Sequence, residues 1–154
     1  TPTPTPAPIE NPSGTIHAAF SSPTSQTAES STGWKNTLFW NIDAITMKQI
    51  GIYINGGSGE YDYEFRASNS SGSLTGPPLH SDTLTQSVDA GYFVTNITQA
   101  LGSSSYYVLR VNLTSGTTYR NSSSLTSKPT YFYKRSIGTT SAGTSGSYAV
   151  RIIY

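Results

Sequence analysis

The chain contains no cysteine in 154 residues, so disulfides, thiolate nucleophiles and Cys-ligated zinc are excluded at the outset. That absence does not argue against secretion, because a domain of this length buries roughly two-thirds of its unfolded surface and can hold a core without staples. Charge is scarce as well. Asp, Glu, Lys and Arg make up 11% of the residues, against about 25% in an average domain. The net charge is +1 with no basic stripe, which argues against a nucleic-acid partner. No apolar run approaches the roughly 20 residues of a membrane-spanning helix. No charged-then-apolar leader opens the sequence, and a mature secreted form would have lost one in any case. The sequence shows neither an initiator Met nor a tag, which leans toward material from its native source and so toward an assembly subunit. Helical spacing of apolar residues is missing throughout.

What is present is Ser (25 residues), Thr (22), Gly (14) and Tyr (11). This composition suits an extracellular, cell-surface or virion-surface β protein better than a cytosolic enzyme. Residues 1–8 read TPTPTPAP and hold four of the nine prolines. Such a stretch favours extended polyproline II and reads as an arm or semi-rigid linker, with Thr1, Thr3 and Thr5 as candidate O-glycosylation sites.

From Thr15 onward the apolar period is two. Tyr61, Tyr63, Phe65 and Ala67 alternate with Asp62, Glu64 and Arg66, and Tyr107, Leu109, Val111 and Leu113 alternate with Val108, Arg110 and Asn112. The same alternation carries Leu38–Ile42, Ile50–Ile54 and Tyr148–Tyr154. Gly- and Asn-rich punctuation separates these runs: a hairpin turn at 55–59, a loop at 68–78 and a polar connection at 136–147. The pattern predicts strands over 15–20, 38–42, 47–54, 60–67, 79–85, 91–98, 105–114, 130–135 and 147–154. The expected architecture is all-β: an antiparallel two-sheet sandwich over 15–154, behind an extended Pro/Thr-rich arm over 1–14.

The stretch from Ala90-Gly91-Tyr92-Phe93 through Leu101-Gly102-Ser103-Ser104-Ser105-Tyr106-Tyr107 to Val111 carries a resemblance. An aromatic strand is followed by a Leu, a small-residue turn and a Tyr-led strand, as in jelly-roll accessory domains of secreted glycosidases, cell-surface proteins and phage appendages. The Ile50–Ile54 run, the Gly56–Gly59 turn, the Tyr61–Arg66 run and the closing Tyr148–Tyr154 strand follow the same order. The resemblance covers residues 45–154. It implies a jelly-roll fold and a generally non-catalytic role.

Catalytic candidates are few. His80-Ser81-Asp82 are consecutive, which sends successive side chains to opposite faces of a strand, whereas triad members must converge. His17 and His80 read as partly exposed strand residues. Glu60, Asp62 and Glu64 share a strand face about 7 Å apart. With Asp43, Asp82 or Asp89 they could contribute to a calcium site, as in a calcium-stabilised adhesin, but no compact ligand run supports one, and a solvated acidic face is the simpler reading. No metal and no cofactor are expected, and no enzymatic activity.

Two functional readings remain. The first is a structural subunit, with copies of itself as partners, assembling into a filament, fibre or virion appendage. Its N-terminal arm (Ile9, Thr15, Ile16, Ala18, Phe20) would add as a strand to a neighbouring sheet. The second is a carbohydrate-binding module of a multimodular secreted protein, with surface glycans as partners. Trp34, Tyr119, Arg120, Tyr131 and Tyr133 are its candidate contacts, because sugar C–H faces stack on aromatic rings, and Trp34 (in Ser30–Asn36) and Tyr119 (between Gly116-Thr117-Thr118 and Arg120-Asn121) sit in polar stretches that suggest exposure. Trp40 and Phe65 read as core. Four Asn-x-Ser/Thr sequons, at Asn69, Asn96, Asn112 and Asn121, are candidate N-glycosylation sites, only mildly more than the Ser/Thr content supplies by chance.

Overall fold

A computed structural model describes residues 1–3, 9–57, 59–85, 91–122, 129–137 and 144–154, and gives the backbone alone for 133–137 and 144. Among them every sheet pairing is antiparallel and the only helical element is a single 3-10 turn, Pro23–Ser25. The strands are β1 (Ile16–Ala18), β2 (Thr27–Glu29), β3 (Gly33–Asn41), β4 (Ile45–Tyr53), β5 (Tyr61–Ser68), β6 (His80–Leu84) and β7 (Tyr92–Leu101). They continue with β8 (Ser105–Leu113), β9 (Thr118–Asn121), β10 (Thr130–Ile137), β11 (Thr144–Ser145), β12 (Ser147–Tyr148) and β13 (Val150–Ile153).

Two large sheets carry the core. One has the order β1-β13-β4-β7, the other β11-β10-β3-β8-β5-β6. The pairings are nested: β1 with β13, β3 with β8, β4 with β7, β5 with β6. Alternation sends one residue in two inward from each sheet. Ile50, Ile52, Ile54, Val150 and Ile152 from the first meet Phe39, Tyr63, Phe65, Tyr107, Leu109 and Phe132 from the second. Rings cluster on the inner face of the six-stranded sheet, with Phe39 5.6–5.9 Å from Phe65, Tyr107 and Phe132, and Tyr61 meets Phe93 of the other sheet edge-on at 5.1 Å. A bulge in the β4–β7 pairing between Met47 and Gln49 lets Met47 and Ile50 both face inward.

The alternating runs lie in strands as expected, and three features differ. First, β3 begins at Gly33, not Leu38. Lys35, Asn36 and Thr37 are buried polar residues, so the first half of this strand carries no apolar alternation. Second, β2 and β9 form in stretches that read as polar loop. With β12 they make a third, three-stranded sheet, order β12-β9-β2. Third, the expected 147–154 strand is divided at Ala149. Its first part pairs with β9 and its second with β1 and β4, while Ala149 bonds both Tyr119 and Tyr53.

The third sheet is anchored by charge. Lys35 points inward, 1% exposed, and its ammonium donates to Glu29 Oε1 at 2.8 Å and Ser31 Oγ at 2.7 Å. Arg120 Nε completes the cluster on Glu29 Oε2 at 3.0 Å, and the Tyr148 hydroxyl donates to Oε1 at 3.1 Å. A buried ammonium requires such partners.

Candidate functional site

The N-terminal segment lies along the outward face and free edge of the four-stranded sheet of its own chain. Glu10 O accepts from Asn96 Nδ2 at 3.1 Å, and Ser13 O accepts from Lys48 Nζ at 2.9 Å. Asn11 Oδ1 accepts from Gln49 Nε2 at 3.1 Å and from the buried Arg151 Nη2 at 3.0 Å. Thr15 and Tyr154 exchange both backbone bonds, at 2.8 and 3.1 Å, and Ile16, His17 and Ala18 then oppose Ile153, Ile152 and Arg151. His17 turns inward: its Nε2 lies 2.8 Å from Thr130 O and its ring stacks on Phe132 at 5.4 Å. Ile16 is 52% exposed, Ile9 is half-buried and Phe20 packs against the core. Among the described residues none of 1–18 belongs to the core cluster, which starts at Ala19.

The outward face of the six-stranded sheet presents polar and aromatic rows at its two ends. Cross-strand register aligns Trp34 with Asn112 and Asn36 with Arg110, and Glu64 lies opposite both Arg110 and Ser81. Arg110 organises this end. Its Nε donates to Asn36 Oδ1 and its Nη1 to Glu64 Oε2, both at 2.9 Å, and its guanidinium lies 4.7 Å from the Trp34 ring centroid. Beside Trp34 opens a groove of about 380 Å³ lined by Asp62, Tyr63, Glu64, Ser81, Asp82 and Thr83. Burial, then the nearby Asp82 charge, pushes the Tyr63 phenol up to about 12, so it stays neutral at physiological pH. A larger cavity, about 640 Å³, lies between Pro12, Lys48 and the β7 edge, without a Trp or Tyr in its lining.

The opposite end of that face carries a row of Tyr131, Trp40 and Tyr106. Trp40 stacks on Tyr106 at 6.1 Å and meets Tyr131 edge-on at 5.6 Å. The expectation that Trp40 is core is therefore corrected. Inward-facing Phe39 fixes the phase of β3, so its neighbour faces out and stays half-exposed. Phe65 is core, as expected.

The structure does not assemble the expected sugar platform. Trp34 stands alone in its groove. Tyr119, expected in an exposed polar setting, is 9% exposed on the small sheet, packed edge-on against Tyr53 at 5.8 Å with its hydroxyl accepting from Asn55 at 3.3 Å. β9 is the middle strand of the small sheet, and Tyr119 is buried because its face of that strand packs against Tyr53. Arg120 is committed to Glu29. Tyr131 belongs to the distant aromatic row, and the Tyr133 side chain lies outside the described residues. Among the groove partners, Ser81 was weighed from sequence only as a catalytic candidate, and Thr83 and Arg110 were not singled out, because only strand pairing brings β6 and β8 beside β5.

The sequons fall in different settings. Asn69 is exposed, and its side-chain oxygen accepts from Ser71 and Ser73 in a turn. Asn112 is half-buried on the outward face opposite Trp34. The Asn96 amide is bonded to Glu10 O and the Asn121 amide to Gln26 Oε1 at 2.8 Å. His80 turns inward to the Tyr63 hydroxyl at 3.0 Å, while Ser81 lies on the outward face. Asp89 and Thr5 lie outside the described residues. Among the described residues no group of three His, Asp or Glu side chains is arranged to hold a metal ion, and no helix is long and apolar enough to cross a membrane. Comparison of the chain with family models, curated proteins and solved structures finds no match.

Proposed function

We propose that this chain is a non-catalytic extracellular structural subunit with a jelly-roll sandwich, which assembles with copies of itself by exchanging its extended N-terminal arm. The jelly-roll reading is supported by the nested pairings, β1 with β13 around β3 with β8, around β4 with β7, around β5 with β6. That is the pattern of one long antiparallel ribbon rolled so that β13 also meets β4 and β8 also meets β5.

One observation carries the assembly reading: the arm is separable. Its contacts over 9–18 are backbone pairing along one edge of β13, polar bonds to Gln49, Lys48, Asn96 and Arg151, and the His17–Phe132 stack. The core cluster begins only at Ala19. An arm that leaves therefore opens an edge and uncovers Phe132, but takes no member of the core cluster with it. An identical arm from a neighbour restores every lost contact, so exchange costs little beyond the entropy of association. A vacated edge is in turn a template that favours refilling. Repeated head to tail, the exchange gives an open filament.

The absence of cysteine makes the test clean. Thr15 and Tyr154 form the hydrogen-bonded pair, so Ile16 and Ile153 form the adjacent non-hydrogen-bonded pair, whose Cα atoms approach to about 4.5 Å, within disulfide range. In an Ile16→Cys/Ile153→Cys protein oxidised at high concentration, arm exchange yields a ladder of covalent multimers on a non-reducing gel. Covalently closed monomer alone at every concentration overturns the proposal.

A further inference from the structure

We propose that the groove beside Trp34 is a binding site for a neutral, hydroxyl-rich saccharide chain. This inference does not rest on the arm. The groove combines an aromatic wall, carboxylate acceptors and hydroxyls that both donate and accept. A sugar ring needs that combination: an apolar C–H face to stack, and a rim of hydroxyls to bond. Its volume, about 380 Å³, lies within the range of small-ligand pockets.

Pre-organisation is the stronger argument. An exposed Trp on a sheet normally loses rotamer freedom on binding. Here the ring is already fixed by the Arg110 guanidinium at 4.7 Å, and Arg110 is itself held by Asn36, which is buried, and by Glu64. The wall thus stands in place before a ligand arrives.

The charge of the groove selects the class of sugar. Glu64 is neutralised by Arg66 and Arg110. Asp62, on the outward face opposite Thr83, has no ion-pair partner among the described residues. Ionised uronic or sulfated sugars would meet unscreened like charge, while neutral hydroxyls find strong acceptors. The cavity near Pro12 and Lys48 is larger but offers no Trp or Tyr wall.

Affinity electrophoresis of the full chain in native gels tests this, with galactomannan and mixed-linkage β-glucan as neutral probes and polygalacturonate as the acidic one. At least one neutral polymer should retard the protein and polygalacturonate should not. Trp34→Ala should weaken the retardation about 10-fold or more, a loss of roughly 1.4 kcal/mol. Tyr119→Phe, on the small sheet, should leave it unchanged. Because the chain has only two Trp, a Trp40→Phe protein makes Trp34 the sole indole reporter, and its emission should shift on titration with galactomannan or β-glucan oligosaccharides. No retardation by either neutral polymer, retention undiminished in a folded Trp34→Ala protein, or equal binding of polygalacturonate would each overturn the inference, whatever the outcome of the arm-exchange experiment.

Discussion

Lys35 and Glu29 show how much a single polar pair can decide. Burial alone would push the Glu29 carboxyl up. Hydrogen bonds from Lys35 and Tyr148, with the charges of Lys35 and Arg120, outweigh burial and hold it below its ordinary value. A carboxyl whose folded pKa lies below its unfolded value contributes stability that is fully present above the unfolded pKa, and that stability is lost as pH falls through the folded one. The melting temperature should therefore hold near neutral pH and fall as pH drops below about 4.5. Glu29→Gln leaves the Lys35 ammonium buried without its counter-charge. It should cost about 3 kcal/mol at pH 7, the low end for removing one partner of a buried pair, because Glu29 keeps 12% side-chain exposure. It should also flatten the acid slope, and calorimetry between pH 3 and 7 reads both effects. Neither residue stands out in the sequence: Lys35 reads as one more solvated charge in a polar stretch, and only the phase of β3 turns it inward.

At the scale of elements, the long alternating runs were legible because each strand has one wet face and one dry face. The half of β3 before Leu38 and the strands β2 and β9 were not legible. The first half of β3 is held by polar partners such as the Lys35–Glu29 pair, β9 lies between β12 and β2, and β2 is an edge strand that stays largely exposed; none of these leaves a period of two in the chain. Gly51 is an element-scale device of a different kind. It sits mid-strand in β4, opposite both Arg151 and Val94, and a Cβ there would run into the Phe93 carbonyl and Val94. The missing side chain lets Arg151 reach across to the Tyr92 ring at 4.8 Å and to Gln49 Oε1 at 2.9 Å. Gly51→Ala should destabilise by at least the roughly 1–3 kcal/mol of overpacking, measured as a shift in the denaturant midpoint without a change in m-value.

At the scale of the whole molecule, the N-terminal segment is a covering laid on a finished sandwich. A chain starting at Ser21 should keep its β-sheet circular dichroism and unfold cooperatively, at a lower melting temperature, because it loses Ala19, the packing of Phe20 and His17 and the bonds to Gln49 and Arg151, while every other member of the core cluster is retained. An unfolded truncation would instead show the arm to be structural in its own right. The sequence by itself determined the β class, most of the strand positions and the inward phase of Phe65 and of Ile50, Ile52 and Ile54, but not that of Phe39, since side-chain alternation is a local property of an extended backbone but its phase is not always marked in a run that is apolar on both faces. It also marked Trp34 as a residue in polar surroundings. Only the tertiary structure decided which strands neighbour one another. That pairing buried Tyr119, turned Trp40 outward and set Ser81, Thr83 and Arg110 around Trp34. These outcomes depend on contacts between residues tens of positions apart, and no local pattern in a single chain encodes them.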